Sequence, residues 1–417
     1  MRAICLYLHI HQPWRYRRYS IFDVAHNHNY WYEKDYYDKQ NNERIFRKVA
    51  DKSYRPMLDL IERNVKRYPE FKVSFSITGT WLEQAEEWAP ELINQIGRLI
   101  STGQVEIVGE TYYHSLAFFY DRDEFQEQVK MHSDKIAALF GVRPRVFRNT
   151  EFAYNDEVGR WADRLGYKAV LAEGWDKVLG WRSPNHVYRV AGGERTRLLL
   201  KNYRLSDDIA FRFSDRNWKE WPLTVEKYQN WLNMDALRGN LINLFMDFET
   251  FGENIWAETG IFDFMEHLIY MWLKEYDNKF VTVSEAADFE QPVDTVSMPE
   301  TVTWADTERD LSAWLGNDIQ HEAEKVLYGM KDEVMRSGDQ DLKDDWRRMT
   351  TSDHPYYMCT KYWNDGDVHA YFSPFDSPYD AFMYYMNVIR DFEWRIENLN
   401  QQRMKLLEEL SEKQSLR

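Results

Sequence analysis

The stretch "LINLFMDFETFGEN", Leu241 to Asn254, begins as an apolar run and ends in acids placed around a Phe-Gly turn. The acids are Asp247, Glu249 and Glu253. A short apolar run of this kind predicts a buried strand, and the acids follow directly where that strand would end. The stretch therefore predicts a strand that brings carboxylates to one edge of a sheet.

Composition and charge limit the classes of function. The chain has 417 residues, of which 44% are hydrophobic, and a formal charge of −16. It can therefore form one large domain with a substantial appendage. Nucleic acids and anionic membranes bind basic surfaces, so the acidic balance argues against both as partners. The N-terminal segment has one Arg, a short apolar run and no small-residue cleavage site, so we predict neither a signal peptide nor a membrane span.

The cysteines indicate a reducing compartment. Cys5 and Cys359 lie far apart in the sequence, and Cys5 stands inside an apolar segment. A disulfide framework needs more cysteines at closer spacing, so we expect two reduced, buried thiols. We therefore expect a cytoplasmic protein.

Aromatic residues make 16% of the chain, and many of them stand in polar surroundings. Flat amphipathic rings beside hydroxyl and carboxylate groups suit a sugar, whose CH faces stack on aromatic rings. An aromatic-rich core with Tyr hydroxyls reaching the surface has the same composition. Composition alone leaves both alternatives open.

Strand-type runs alternate with helical patterns over about the first 290 residues. In "AICLYLHIH", Ala3 to His11, apolar residues alternate with Cys, Tyr and His, as in a strand. The further strand-type runs are Val73–Thr78, Gln104–Gly109, Pro144–Asn149, Tyr167–Ala172, Arg197–Asn202, Leu241–Met246 and Lys279–Val283. Seven or eight strands alternating with helices predict a parallel α/β barrel. No Gly-rich phosphate loop follows any of them, which weakens a nucleotide-binding alternative.

The pattern changes after residue 290. Pro292, Pro299 and a lack of periodicity predict a linker over residues 291–303. We expect residues 304–417 to be a helical domain packed on a barrel of residues 1–290, with a long final helix entered through Ser377 and Pro378. The last turns, Gln401 to Gln414, fit either a coiled-coil seam or an amphipathic terminal helix, and we favour the second.

Polar residues collect where the predicted strands end, which is the active-site edge of a parallel barrel. These residues are His9 and His11 after the first run, Glu110 and His114 after the third, Glu151 after the fourth, and Asp247 and Glu249 after Leu241–Met246. Glycosidic bond cleavage needs two carboxylates in one cleft, one to attack the anomeric carbon and one to protonate the leaving oxygen. Acids at strand ends also cap helices, so residue types alone leave a structural role open.

Five segments together carry a recognisable set of motifs. They are "HQP" (His11 to Pro13), "GQVEIVGETYYHS" (Gly103 to Ser115), "RNTEFAYND" (Arg148 to Asp156), "MDFETFGEN" (Met246 to Asn254) and "TVSEAADF" (Thr282 to Phe289). In order and spacing this set resembles the five sequence regions of glycoside hydrolase family 57. The later segments Thr303 to Gln320 and Thr351 to Phe382 look most like its α-amylase-type members. The resemblance implies an α/β fold, an incomplete (β/α)7 barrel followed by a C-terminal α-helical domain, and a retaining reaction at α-glucosidic bonds.

The resemblance implies roles for two acids. Glu151 matches the nucleophile, which forms a covalent glycosyl-enzyme, and Asp247 matches the general acid/base. Retention would require their carboxyl groups to be about 5 to 5.5 Å apart. It would also require that burial, or the charge of Glu151, keeps Asp247 protonated near neutral pH. This mechanism needs no cofactor and no metal.

Other residues are candidates for substrate binding. We expect His11 to hydrogen-bond a glucose hydroxyl and His9 to be structural. Glu249 and Glu253 are interpreted as acids that orient neighbours, cap a helix or bind substrate. The remaining candidates are Glu110, His114, Asp353 and His354 for polar contacts and Trp14, Tyr154, Trp256 and Trp363 for stacking on the sugar. Each of them has a structural alternative in a loop or in the core.

Two other classes of function stay open. His9-x-His11, with His114 and acids nearby, has the spacing of a metal site such as barrel deacetylases use, although the order of the motifs argues against it. A non-catalytic protein could hold α-glucan in the same cleft. Among catalytic functions we expect hydrolysis of α-1,4-glucosidic bonds in glycogen, starch or maltooligosaccharides, with 4-α-glucan transfer or branching as the alternative. The sequence does not decide the oligomeric state.

Overall fold

The computed structural model describes residues 1–361 and 372–415. Its strands are β1 (Arg2–Ile10), β2 (Val73–Ile77), β3 (Val105–Ile107), β4 (Val146–Arg148), β5 (Ala169–Glu173), β6 (Val187–Val190), β7 (Arg197–Lys201), β8 (Leu241–Asp247), β9 (Asn278–Val281) and β10 (Asp294–Val296). Each of the strand-type runs in the sequence overlaps one of these strands.

Helices lie between and after these strands. Up to residue 287 they are α1 (Asn42–Val49), α2 (Arg55–Arg67), α3 (Gly79–Trp88), α4 (Pro90–Ser101), α5 (Ala117–Tyr120), α6 (Arg122–Phe140), α7 (Asp156–Leu165), α8 (Asp176–Leu179), α9 (Tyr203–Ala210), α10 (Val225–Asp235), α11 (Ile261–Leu273) and α12 (Val283–Ala287). After it they are α13 (Ser312–Leu315), α14 (Asp318–Gly329), α15 (Lys331–Ser337), α16 (Gln340–Met349), α17 (Asp353–Tyr357) and α18 (Pro378–Ser415).

The strands form two largely parallel sheets. One sheet has the order β3-β2-β1-β8, with β9 also paired to β1, and the other has the order β10-β6-β7-β5-β4. Among the described strands the antiparallel pair is β6 with β7. A parallel bridge between Gly109 and Phe147 joins the edges of the two sheets. On the other side, Asn202 N donates to Asn243 O at 2.9 Å. The sheets therefore curl into an incomplete (β/α)7 barrel, as predicted.

The first strand lies at the centre of its sheet. It pairs with β8 along one edge and with β2 and β9 along the other, and the side chains on both of its faces are buried. Tyr7 packs edge-on against Phe245 of β8 and Phe152, within the main apolar cluster. The register sets His9 opposite Asp247. The two strands therefore end together, and their polar residues meet.

The sequence did not predict β6 and β10. Each has four residues or fewer, and polar residues interrupt their apolar positions, so the pattern of a buried strand is missing. The short strand β10 lies inside the predicted linker and pairs with β6. The helical region begins at Ser312 and not at Trp304.

The predicted helix boundaries at α6 and α18 are confirmed. Asp121 Oδ1 accepts a hydrogen bond from Glu124 N at 2.8 Å, and Gly141 ends α6 with a φ of +70°. At the start of α18, Ser377 Oγ accepts one from Asp380 N at 3.1 Å.

The described residues form two compact units. The first contains all ten described strands and consists of residues 1–12, 45–112 and 126–311. The second is helical and consists of residues 13–44, 113–125 and the chain from Ser312 onward. Cys5 lies buried in the first unit and Cys359 in the second. No helix in residues 1–361 and 372–415 combines the length and the apolar character that crossing a bilayer requires.

Candidate active site

Glu151 stands on a strained turn directly after β4. It lies in a single 3-10 turn, Thr150–Phe152, with φ 55° and ψ 25°, and Phe152 also has a positive φ. A side chain with a Cβ rarely adopts this conformation, and residues held in it concentrate at functional sites. The Phe152 ring is buried in the core, whereas Glu151 remains partly exposed. The turn thus anchors the backbone and leaves the carboxylate partly exposed.

Trp304 holds the Glu151 carboxylate. Its indole Nε1 donates to Glu151 Oε2 at 2.7 Å, and its backbone N donates to Glu151 O at 3.3 Å. Its ring stacks on Phe152 with centroids 4.6 Å apart. Two hydrogen bonds and a stacked ring therefore fix the indole beside the carboxylate. Trp304 lies in the segment Thr303 to Gln320, whose resemblance to the α-amylase-type members assigns no role to this Trp, so the sequence did not mark it as part of the site.

Cations surround the Trp304 ring. The Arg148 guanidinium lies 5.2 Å from its centroid and the Lys201 ammonium 5.4 Å, distances at which a cation is attracted to an aromatic face. Lys201 Nζ lies 2.9 Å from Asp207 Oδ1 and 3.6 Å from Glu173 Oε2. This places a largely buried charge network behind the ring.

Arg309 completes this network. Its Nη1 donates to Glu173 Oε2 at 2.7 Å, and its Nη2 lies 3.8 Å from Asp207 Oδ2. Glu173 is fully buried, so its charge depends on these cations. The network joins residues from three separate stretches of the sequence, around Glu173, Lys201 and Arg309, and no local motif could have revealed it.

Asp247 ends β8 and faces His9. Asp247 Oδ1 lies 3.5 Å from His9 Nδ1, and on the other side of the ring His9 Nε2 lies 3.3 Å from Glu110 Oε2. The Asp247 side chain is 44% exposed, so burial, one of the two features predicted to keep it protonated, is not found. His9 and Glu110 are buried, at 3% and 0% exposure. His9 therefore contacts the candidate acid directly, a role beyond the structural one predicted for it.

Glu249 is the acid whose proton affinity the fold changes most clearly at this edge. Its Oε1 accepts hydrogen bonds from Tyr54 OH at 2.7 Å and from His11 N at 3.2 Å. Burial of the carboxyl group, followed by the negative charge of Asp247, raises the pKa of Glu249 to about 8. With a pKa of about 8 Glu249 carries a proton at neutral pH, and it holds the backbone at His11 through a hydrogen bond; substrate binding by Glu249 stays a prediction.

His11 is oriented from its side chain as well. Its Nδ1 lies 2.9 Å from Thr78 Oγ1, which follows β2, and its ring stacks on His9 with centroids 5.8 Å apart. These contacts hold the imidazole ring in one orientation just after β1. The predicted contact with a glucose hydroxyl stays a prediction.

Other candidates in the first unit differ in exposure. Trp256 is 60% exposed, and the Lys52 ammonium lies 5.5 Å from its ring. Tyr154 is fully buried and forms a bridge with Val302, so its ring is part of the core. Glu253 pairs with Lys48 at 2.6 Å.

The second unit holds the remaining candidates. His354 is fully buried, with Nδ1 3.1 Å from Met349 O and Nε2 2.9 Å from Trp14 O. Trp14 is 1% exposed and packs edge-on against Tyr32. His114 is buried with a φ of 53°, and its carbonyl accepts a hydrogen bond from Ser352 N next to Asp353, the first residue of α17. Trp363 lies outside the described residues.

The charge around His9 disfavours a metal ion at His9 and Glu110. Arg148 Nη1 lies 3.5 Å from both Glu110 Oε2 and His9 Nε2. A guanidinium at this position repels a cation and donates to the atoms that would bind it. His9 and Glu110 are therefore members of a buried polar network that includes Arg148.

Comparisons with known proteins show the family of the chain. The profile of glycosyl hydrolase family 57 matches residues 5–299. A Methanocaldococcus jannaschii protein with the provisional name alpha-amylase is 41% identical over 401 residues, which are 94% of this chain and 84% of that protein.

Solved structures show the same fold. A branching enzyme of Thermococcus kodakaraensis superposes with a TM-score of 0.70 at 14% identity, covering 99% of this chain and 94% of that one. A 4-alpha-glucanotransferase of Thermococcus litoralis superposes with a TM-score of 0.64 at 17% identity. That alignment covers 85% of this chain and 56% of the transferase, so the chain matches little more than half of that enzyme's length. By its sequence profile, the chain belongs to glycosyl hydrolase family 57 and is a glycoside hydrolase.

Proposed function

We propose that the protein cleaves α-1,4-glucosidic bonds in α-glucans such as glycogen, starch and maltooligosaccharides, with retention of the anomeric configuration. Glu151 is the nucleophile and Asp247 the general acid/base. The observation that carries the proposal is the pair of strand-end acids, each with its own support: Glu151 on a strained turn beside Trp304, and Asp247 beside His9. The names of the relatives, which include an amylase, a transferase and a branching enzyme, support an α-glucan as substrate.

Each acid has a defined task in this mechanism. A Glu151 oxygen attacks the anomeric carbon, and the bond to the leaving oxygen breaks as Asp247 gives that oxygen its proton. The resulting glycosyl-enzyme is then attacked by water, whose proton passes to Asp247, and the bond to Glu151 breaks. Trp304 steadies the Glu151 carboxylate through its indole N–H during both steps.

The arrangement around Asp247 suits its double role. Nearly half of its side chain is exposed, so the acid can reach first a leaving group and then water. His9, wedged between Asp247 and Glu110, limits the movement of the carboxyl group on its inner side. Glu249, which carries a proton at neutral pH, adds no second negative charge beside Asp247.

Transfer is the alternative outcome of the same chemistry. A sugar hydroxyl that reaches the glycosyl-enzyme before water gives a longer glucan, as 4-α-glucanotransferases and branching enzymes do. We propose hydrolysis as the main activity because a relative that is 41% identical over 94% of this chain carries the provisional name alpha-amylase.

The test is incubation of the purified protein with a maltooligosaccharide series and with glycogen, followed by separation of products by length. We expect shorter products from the unmodified protein and none from Glu151→Gln or Asp247→Asn. Glu258→Gln, at an exposed position nearby, is the matched control and should retain activity. Longer products would identify a transferase, and binding without turnover would identify a non-catalytic glycan-binding protein.

A further inference from the structure

The C-terminal part of α18 presents an unpartnered apolar stripe. Every residue from Gln401 to Gln414 is exposed. Met404, Leu406, Leu407 and Leu410 are exposed by 59%, 57%, 55% and 47%. Their spacing of three and four residues places them on one side of the helix. Soluble proteins rarely leave such a stripe uncovered, so it marks an interaction surface.

The charges on this segment disfavour a membrane as the partner. Arg403, Lys405 and Lys413 are balanced by Glu408, Glu409 and Glu412, so the segment has no net charge. Amphipathic helices that bind anionic lipid carry a basic polar face. The apolar stripe of this helix therefore fits a protein surface better than a lipid surface.

The order of the charges favours a second copy of the same helix. The basic residues Arg403 and Lys405 precede the middle of the stripe, and the acids Glu408 and Glu409 follow it. Two copies packed antiparallel about Leu406 bring the basic half of each against the acidic half of the other. Parallel packing in register would instead set Arg403 beside the same residue of the second copy, which like charges oppose.

A groove at the base of the stripe extends this complementarity. It has a volume of about 550 Å³, and Glu333, Glu393, Ile396 and Glu397 are among the residues that line it. When two copies pack antiparallel about Leu406, the C-terminal turns of α18 in the second copy lie beside this groove. These turns include Lys413. A basic residue thus approaches a mainly acidic groove, next to the apolar side chain of Ile396.

We propose that the protein self-associates through α18, with residues 401–414 of two copies packed antiparallel. The occupant of the stripe is the same segment of a second copy. This inference goes beyond the proposed function and does not depend on it. Because the stripe is short, the dimer forms and dissociates with protein concentration.

Sedimentation velocity over a range of protein concentrations tests the proposal on the full chain. The unmodified protein should shift from monomer to dimer as concentration rises. Leu406→Ser combined with Leu410→Ser should weaken dimerisation at least about tenfold, since apolar contact drives the association. Leu237→Ser, at a position that is 82% exposed in the first unit, is the matched control and should dimerise normally.

Charge reversal tests the antiparallel arrangement itself. Arg403→Glu with Lys405→Glu makes the segment 401–414 acidic, and Glu408→Lys with Glu409→Lys makes it basic. Each double variant alone should remain monomeric, because its two copies repel each other. A mixture of the two should form mixed dimers. The substituted residues are exposed, so circular dichroism and glucan turnover should be unchanged.

Four results would overturn the proposal. The first is an unmodified protein that stays monomeric at the highest concentration, and the second is a dimer insensitive to the Leu substitutions. The third is a pair of charge-reversed variants that dimerise alone as the unmodified protein does. The fourth is a monomer that binds anionic vesicles through the stripe.

Discussion

Glu249 offers a quantitative test of how the fold controls charge at the candidate site. Its carboxyl group accepts from Tyr54 OH and from His11 N through one oxygen, and burial raises its pKa to about 8. The substitution Glu249→Gln keeps an acceptor oxygen of the same shape but cannot lose a proton. The variant therefore isolates the effect of titration from that of the hydrogen bonds.

The magnitude follows from proton linkage. The pKa rises from a reference of 4.5 to about 8, so between these values the unfolded chain has lost the proton and the folded chain retains it. The protonated carboxyl group of Glu249 stabilises the folded protein fully below the pKa that it has in the unfolded chain. This stabilisation is lost as the pH rises through the pKa that it has in the folded protein. Between the two pKa values the free energy of unfolding falls by about 1.4 kcal/mol for each pH unit, and the fall levels off above the folded pKa of about 8. The free energy of unfolding should therefore decrease by about 3 kcal/mol between pH 5.5 and pH 8.5.

The assay is urea unfolding at pH 5.5, 7 and 8.5, followed by Trp fluorescence. The free energy of unfolding of Glu249→Gln, relative to the unmodified protein, should increase by about 3 kcal/mol from the lowest pH to the highest. Glu258→Gln, an exposed acid in the same region, should show no such trend. A difference between Glu249→Gln and the unmodified protein that is the same at all three pH values would refute the reasoning.

Two further predictions concern Trp304 and the charge network behind it. Trp304→Phe keeps a ring on Phe152 but removes the N–H that donates to Glu151, so kcat on maltooligosaccharides should fall about tenfold or more with little change in KM. Trp181→Phe, at a position 89% exposed, should have no effect, and a rise in KM alone would show that Trp304 serves the substrate and not the nucleophile. Arg309→Gln leaves the buried charge of Glu173 less compensated, which should lower the free energy of unfolding by about 3 kcal/mol, whereas an unchanged urea midpoint would contradict this.

An element or a site residue could be predicted from the sequence where the pattern that marks it lies within a few neighbouring residues. The strands β1 and β8 were predictable because an apolar run and its polar end lie within a few residues of each other. Glu151 and Asp247 were found from motifs around each of them, and the structure adds the strained backbone of one and the exposure of the other. Trp304 was missed because its significance rests on a carboxylate 153 positions away.

By itself the sequence determined the alternation of strands and helices, the acidic character and the acids that end the strands, because apolar periodicity and side-chain chemistry act over short distances along the chain. Tertiary structure alone decided what surrounds each acid. The register of β1 with β8 sets His9 beside Asp247, and the burial of Glu249 gives it a proton at neutral pH. Proton affinity depends on desolvation and on charges brought together by folding, and neither quantity can be read from residue order.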